Sequence, residues 1–175
     1  QYPVPIIGVE PGIKPAALCS RTGVIGVLAT PGTLKTHSFV NLAERYASGV
    51  KIELQPCPDL AAQIESLSFD SDRTIELLKR YISPLIEKKV DTIILGCTHY
   101  NHVSHLIAEL AGPDVTIVNT ETAVANQVVR RLTAEGLLAA DNRVGRDEFW
   151  TSGALDIYRN QIEKLWGPGE HVLQL

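Results

Sequence analysis

Short β-branched runs recur along this chain with longer amphipathic segments between them, and that alternation constrains the fold more than any other feature. Residues 5–10, 24–30, 51–56, 92–97, 115–119 and 148–152 read as strands. Helical periodicity covers 14–20, 33–47, 59–66, 71–89, 102–110, 122–135 and 155–165. Strands separated by helices cannot pair as hairpins, so the pattern predicts an α/β fold with a parallel or mostly parallel sheet covered by flanking helices. A chain of 175 residues, 45% of them hydrophobic, is long enough for one sizeable core or two small ones.

In such a sheet ligands gather at the carboxyl ends of the strands. The run Thr92, Ile93, Ile94, Leu95, Gly96 leads directly into Cys97, Thr98, His99 and Tyr100, placing a thiol, a hydroxyl and an imidazole at an open strand end. Free cysteine is among the most buried residue types, so packing competes with chemistry as a reading of Cys97. Its neighbours shift the balance, because an imidazole can lower a thiol pKa or relay its proton and a following helix start can stabilise a thiolate. A second strand end, Thr30, Pro31, Gly32, Thr33, offers a tight turn and a hydroxyl cap, with free amides suited to a carboxylate or phosphate; an ordinary cap is the competing reading. It is too short for a dinucleotide fingerprint or a Walker-type phosphate-binding loop, which disfavours NAD and ATP.

The remaining cysteines read as structural. Cys19, Cys57 and Cys97 are widely spaced and odd in number, without a Cys-x-x-Cys pair, which argues against a disulfide framework or structural zinc. Cys97 with His99 is conceivable as a metal pair, but no second ligand pair accompanies it and no metal is assigned. Cys19 is expected in the core, and Cys57 favours packing over chemistry. His102 and His105 read as helix-surface residues. A net charge of -4 gives no broad attraction to nucleic acid or an anionic membrane, and no apolar run is long enough to span a bilayer. With no signal peptide at its start, the expectation is a cytoplasmic protein acting on a small molecule.

The segments Gly8 to Ala16, Leu28 to Thr33, Cys57-Pro58, Leu95 to Tyr100 and Thr151 to Gly153 resemble, in the same order, segments of the aspartate/glutamate racemase family, bacterial glutamate racemases in particular. The resemblance spans nearly the whole chain, and the Gly-Cys-Thr-His-Tyr element is its most specific part. It implies an isomerase that interconverts L- and D-glutamate without a cofactor, supplying D-glutamate for peptidoglycan and hence for cell-wall biogenesis and cell shape. It further implies two cysteines on opposite faces of the substrate, one removing the α-proton as thiolate and the other returning a proton as thiol.

Carried over by motif, Cys97 resembles the second catalytic cysteine, His99 its assisting acid or base, and Thr98 a substrate contact. Thr30 and Thr33 lie in the segment similar to the family's substrate loop. Glu65 resembles an assisting glutamate, although on sequence alone it reads as a solvated helix residue. Asn101 stands where the family usually has proline, and as a good cap it should preserve helix entry. Asn119-Thr120 replaces a usual Asp-Ser, leaving a ligand contact there open.

The family's opening loop and first catalytic cysteine have no counterpart, and neither Cys19 nor Cys57 stands in that cysteine's context. The resemblance therefore implies the latter part of a racemase, with 1–118 as a second α/β domain and 119–175 as a return segment completing a first domain. Such a fragment is expected to lack racemase activity alone and to expose apolar faces after Asn119, which self-association into a homo-oligomer is one way to cover. An aspartate or hydantoin racemase, and a non-catalytic amino-acid-binding α/β module, remain the alternative readings.

Overall fold

The computed structural model describes residues 4–46, 49–140, 145–169 and 171–175. Contacts between residues group the chain into two compact units, 1–135 and 136–175.

The first unit is built on four parallel strands: β1 (Val24–Ala29), β2 (Lys51–Pro56), β3 (Thr92–Leu95) and β4 (Thr116–Val118), in the order β2-β1-β3-β4. The register pairs Ile25 with Ile52 on one side of β1 and with Thr92 on the other, so β1 and β3 form the sheet's interior. Strand periodicity sorts the side chains onto two faces. Ile25, Val27, Ala29 and Ile94 join Ile13 and Ala16 of α1 (Ile13–Cys19) and Phe39 of α3 (His37–Tyr46). Leu28, Ile93 and Leu95 face the opposite layer, made by α4 (Leu60–Glu65), α5 (Asp72–Glu87) and α6 (Ser104–Ala111). Sequence patterning thus yields the three-layer α/β arrangement it predicts.

The differences are local. The predicted helix 33–47 is two pieces, α2 (Pro31–Leu34) and α3, because the Thr36 hydroxyl donates to the Thr33 carbonyl (2.8 Å) and accepts from the Phe39 N–H (3.3 Å), starting a new helix; residue 47 lies outside the described residues. Residues 5–10 form no strand. Pro5 offers no ladder donor, and Ile6 is left 70% exposed without a neighbouring strand to cover it. Cys19 is exposed rather than core: the buried residues of α1 are Ile13 and Ala16, and Cys19 is its last residue, beyond that stripe. Cys57 is buried.

At the amino ends of the strands, Asp91 ties the α1–β1 turn to the start of β3. Burial alone raises its carboxyl pKa, yet donation from Ser20 Oγ (2.7 Å), the N–H groups of Thr22 (2.7 Å) and Arg21, and Thr92 Oγ1 (3.0 Å) outweighs burial and holds it down at about 2.

Helix α7 (Glu121–Ala134) follows β4 and buries no side chain. In the second unit β5 (Phe149–Thr151) and β6 (Val172–Gln174) pair in parallel around α8 (Leu155–Leu165), a single βαβ turn. Phe149 meets Trp166 edge to face at 5.5 Å, and α8 also buries no residue. β6 escapes prediction because a three-residue ladder is too short to show alternation. Among the described residues no helix is long and apolar enough to cross a membrane.

Replacing Asp91 with alanine strands three donors in the α1–β1 turn and should cost about 2–3 kcal/mol at neutral pH, read from urea unfolding. Because the folded-state pKa is depressed, Asp91 contributes fully above roughly pH 4 and its contribution is lost as the pH falls toward the folded value. The gap between wild type and Asp91→Ala should therefore narrow over that acid window.

Candidate active site

The chain leaves β1 through α2 and α3 for the β2 side of the sheet, then returns through α4 and α5 to the β3 side. Crossovers thus diverge between β1 and β3, and a crevice opens beyond their carboxyl ends. Gly96 closes its floor. Its N–H donates to the Leu28 carbonyl at 2.8 Å, and a Cβ at this position would stand 2.9 Å from that oxygen and 3.0 Å from Ala29 Cβ, so any larger residue pushes the two strand ends apart.

Above this floor lies a cavity of about 330 Å³, lined by Thr33 after β1, Leu95 at the end of β3 with Gly96 to Thr98 after it, Thr120 after β4, and the irregular Val9 to Pro11 segment. Gly12 lets that segment approach, since a Cβ there would meet Val118 Cγ1 at 2.8 Å.

Cys97 is half-buried at the start of a 3-10 helix, Thr98–Val103. Its Sγ lies 3.5 Å from His99 Nδ1, and His99 Nε2 lies 2.9 Å from Glu65 Oε1 at the end of α4. A carboxylate accepts, so Nε2 carries the hydrogen and Nδ1 presents its lone pair to the thiol. The three residues form a chain of proton donors and acceptors running from the cavity wall outward. Burial is the largest influence on the Cys97 thiol and pushes its pKa up; the N–H groups of His99 and Tyr100 favour the thiolate less strongly, and the Glu65 charge opposes it. The resting sulfur is therefore a thiol, contrary to the lowered pKa that its strand-end position suggests.

The threonines divide the work. Thr30 caps α2, its Oγ1 accepting from the Thr33 N–H (3.2 Å) and lying 2.9 Å from Thr33 Oγ1. It braces Thr33, which with Thr98 faces the cavity, while Thr30 itself lies outside the lining. Cys57 does not share this role. It donates to the Gln55 carbonyl (3.3 Å), and burial pushes its pKa up to about 12, so it stays protonated in the core.

Sequence reasoning assigned no role to Val9, Glu10 or Pro11, and only the motif around Gly8 to Ala16 hinted at them. Asn101 also lines the cavity; it lies within the 3-10 helix rather than capping it, and its buried Oδ1 has no hydrogen-bond partner among the described residues.

Residues 1–128 match the family described as Asp/Glu/Hydantoin racemase. The chain is 44% identical over 171 residues to a glutamate racemase of Methylococcus capsulatus, covering 98% of this chain and 63% of that protein. It is 43% identical over 176 residues to a glutamate racemase of Pseudomonas paraeruginosa, covering 100% and 66%. Among solved structures, glutamate racemase isoform RacE1 from Bacillus anthracis superposes with a TM-score of 0.85 at 29% identity, covering 99% of this chain and 65% of that one. The chain thus spans a little under two thirds of the length of these relatives. By family match and by identity, the chain belongs to the Asp/Glu/hydantoin racemase family.

Proposed function

We propose that this chain supplies one protonic half of a cofactor-independent glutamate racemase, with Cys97 as the group that exchanges a proton with the substrate α-carbon. The observation that carries the reading is the Cys97, His99, Glu65 chain opening onto the cavity beyond β1 and β3. The relatives named glutamate racemase support glutamate as the substrate.

As a thiol, Cys97 donates its proton to an α-carbanion. In the reverse sense His99 Nδ1 first takes the Sγ proton, Glu65 stabilises the resulting imidazolium, and the thiolate removes the α-proton as a new S–H bond forms. Thr33 and Thr98 orient the substrate against the sulfur, with Thr30 holding Thr33 in place. Cys57 is locked in the core, and Cys19 lies on α1 by the turn that binds Asp91, at the amino ends of the strands. Neither lines the cavity, so Cys97 is the thiol open to it among the chain's cysteines.

In this reading residues 1–118 correspond to the second racemase-type domain and 119–175 to the return segment, and the product serves peptidoglycan synthesis in the cytoplasm. With one thiol facing the substrate, a proton removed from one face returns to that face.

In D2O this chain should therefore exchange the α-hydrogen of one glutamate enantiomer without net racemisation, followed by proton NMR. Cys97→Ser should slow the exchange by about 100-fold or more, and aspartate and hydantoins should exchange more slowly than glutamate. Racemisation by the chain alone, or exchange surviving in Cys97→Ser, would overturn the assignment.

Alkylation by iodoacetamide in a Cys19→Ser background should titrate at Cys97 above the range of a free thiol. Since the Glu65 charge raises the thiol pKa, Glu65→Gln should move that profile toward lower pH.

A further inference from the structure

Three imidazoles of the segment after β3 meet the end of α4 and the connection that leads from it to α5, each on a different partner. His99 Nε2 reaches Glu65 Oε1 (2.9 Å), His102 stacks on Phe69 with ring centroids 5.6 Å apart and planes 10° apart, and His105 Nε2 lies 3.5 Å from Asp70 Oδ1. The histidines recur every third residue, the spacing that keeps side chains aligned along a 3-10 turn and close on the α-helical turn that follows.

The connection is tightly made. Leu67 adopts a left-handed conformation at φ 60°, which a side chain with a Cβ disfavours. Beyond it the Ser68 carbonyl accepts from Thr74 Oγ1 (2.6 Å) and Ser71 Oγ (3.1 Å), anchoring the loop to the first turn of α5. On the α4 side the Leu67 N–H donates to the Ile64 carbonyl (2.9 Å), and Gln63 Nε2 reaches Ser71 Oγ (3.3 Å) and Thr74 Oγ1 (3.1 Å), so α4 and α5 are tied to each other while the tie to the 3-10 helix is made by side chains. Glu65 is on the other side of Leu67, with 61% of its side chain exposed, so burial does not confine its carboxylate.

The His105–Asp70 pair cannot supply that confinement. Its side chains are 64% and 77% exposed, and solvent screens ion pairs of this kind. Phe69 is different, because it packs partly buried against the main core while its ring meets His102. Parallel ring stacking on a packed residue gives a contact that is both directional and hard to slide.

We propose that Phe69 and His102 are positioning residues: their stack clamps the α4–α5 connection to the 3-10 helix and thereby holds Glu65 within reach of His99. The inference rests on the reading of Cys97, His99 and Glu65 as a proton relay. Around the Cys97 sulfur the titratable neighbours besides Glu65 are Cys57 and Tyr100, both pushed up by burial, His99 at 3.5 Å, and Glu10 on the wall of the same cavity; Glu65 is the carboxylate that reaches the His99 ring and opposes the thiolate, and its placement is what the stack controls.

The test measures Cys97 alkylation by iodoacetamide from about pH 6 to about pH 10 in the full chain carrying Cys19→Ser. Phe69→Ala and His102→Ala should shift the profile toward lower pH, as Glu65→Gln does, with alkylation about two- to threefold faster near neutrality. Combined with Glu65→Gln they should add nothing further. Phe69→Tyr and His102→Phe, which keep two stacked rings, should restore the wild-type profile. Phe69→Leu retains apolar burial without the stack and serves if Phe69→Ala fails to fold; it should behave like the alanine variant. If Glu65→Gln shifts the profile while the stack variants do not, or if their effects add to it, the positioning role is overturned. If Glu65→Gln itself leaves the profile unchanged, the relay reading fails and the positioning role with it.

Discussion

The approach of Gly96 to the end of β1 is the contact on which the site depends. Its N–H extends the β1–β3 ladder by one bond to Leu28, and the absence of a side chain lets the two strand ends stay together just where the chain must turn. Cys97 emerges from that turn with its backbone direction already set by the sheet, and Thr33 lines the same cavity from α2, the short helix that follows β1. A Cβ at position 96 presses on main-chain oxygen, which has nowhere to yield without opening the parallel ladder. The sheet interior is apolar on both faces, so this rigidity is inherited from the core rather than supplied by polar contacts within the site.

What the scaffold does to the thiol is less obvious. A cysteine at a helix start invites the expectation of a stabilised thiolate, and two amides do favour it. Burial wins, however, and the Glu65 charge adds to it. The consequence is a thiol kept protonated until a proton acceptor or donor is aligned with it. In the proposed reading His99, oriented by Glu65, is that partner, and the division of labour separates reactivity from exposure: the sulfur is half-buried and quiet, yet exchanges a proton along a prepared route. Cys57 shows the limit of the same effect, where burial without such a partner leaves an inert thiol.

Much of this was legible in the residues. The continuous apolar runs at β1 and β3 marked them as buried strands of a parallel sheet, and the thiol and threonines at strand ends marked its carboxyl edge. Glu65 was not legible from pattern, since a glutamate at a helix end looks like any solvated one; resemblance alone singled it out, and the geometry then pairs it with His99 across 34 positions of sequence. Residues 5–10 misled because their apolar content mimics a strand, whereas a ladder needs a free neighbouring edge and a complete set of donors. Cys19 misled because local alanine content says little about where a helix ends relative to the sheet. The Phe69–His102 stack leaves no signature at all in a single sequence, being a contact between side chains of the α4–α5 connection and the 3-10 helix, 33 positions apart.

The central claim is that Glu65 fixes the His99 ring so that Nδ1 faces Cys97 without a hydrogen. Nitrogen NMR of histidine-labelled protein reads this directly, with the His99 signals assigned by their loss in His99→Gln. The account predicts a single tautomer near neutrality, with the hydrogen on Nε2, that becomes a mixture in Glu65→Gln. A hydrogen on Nδ1, or a tautomer ratio indifferent to Glu65, would contradict it.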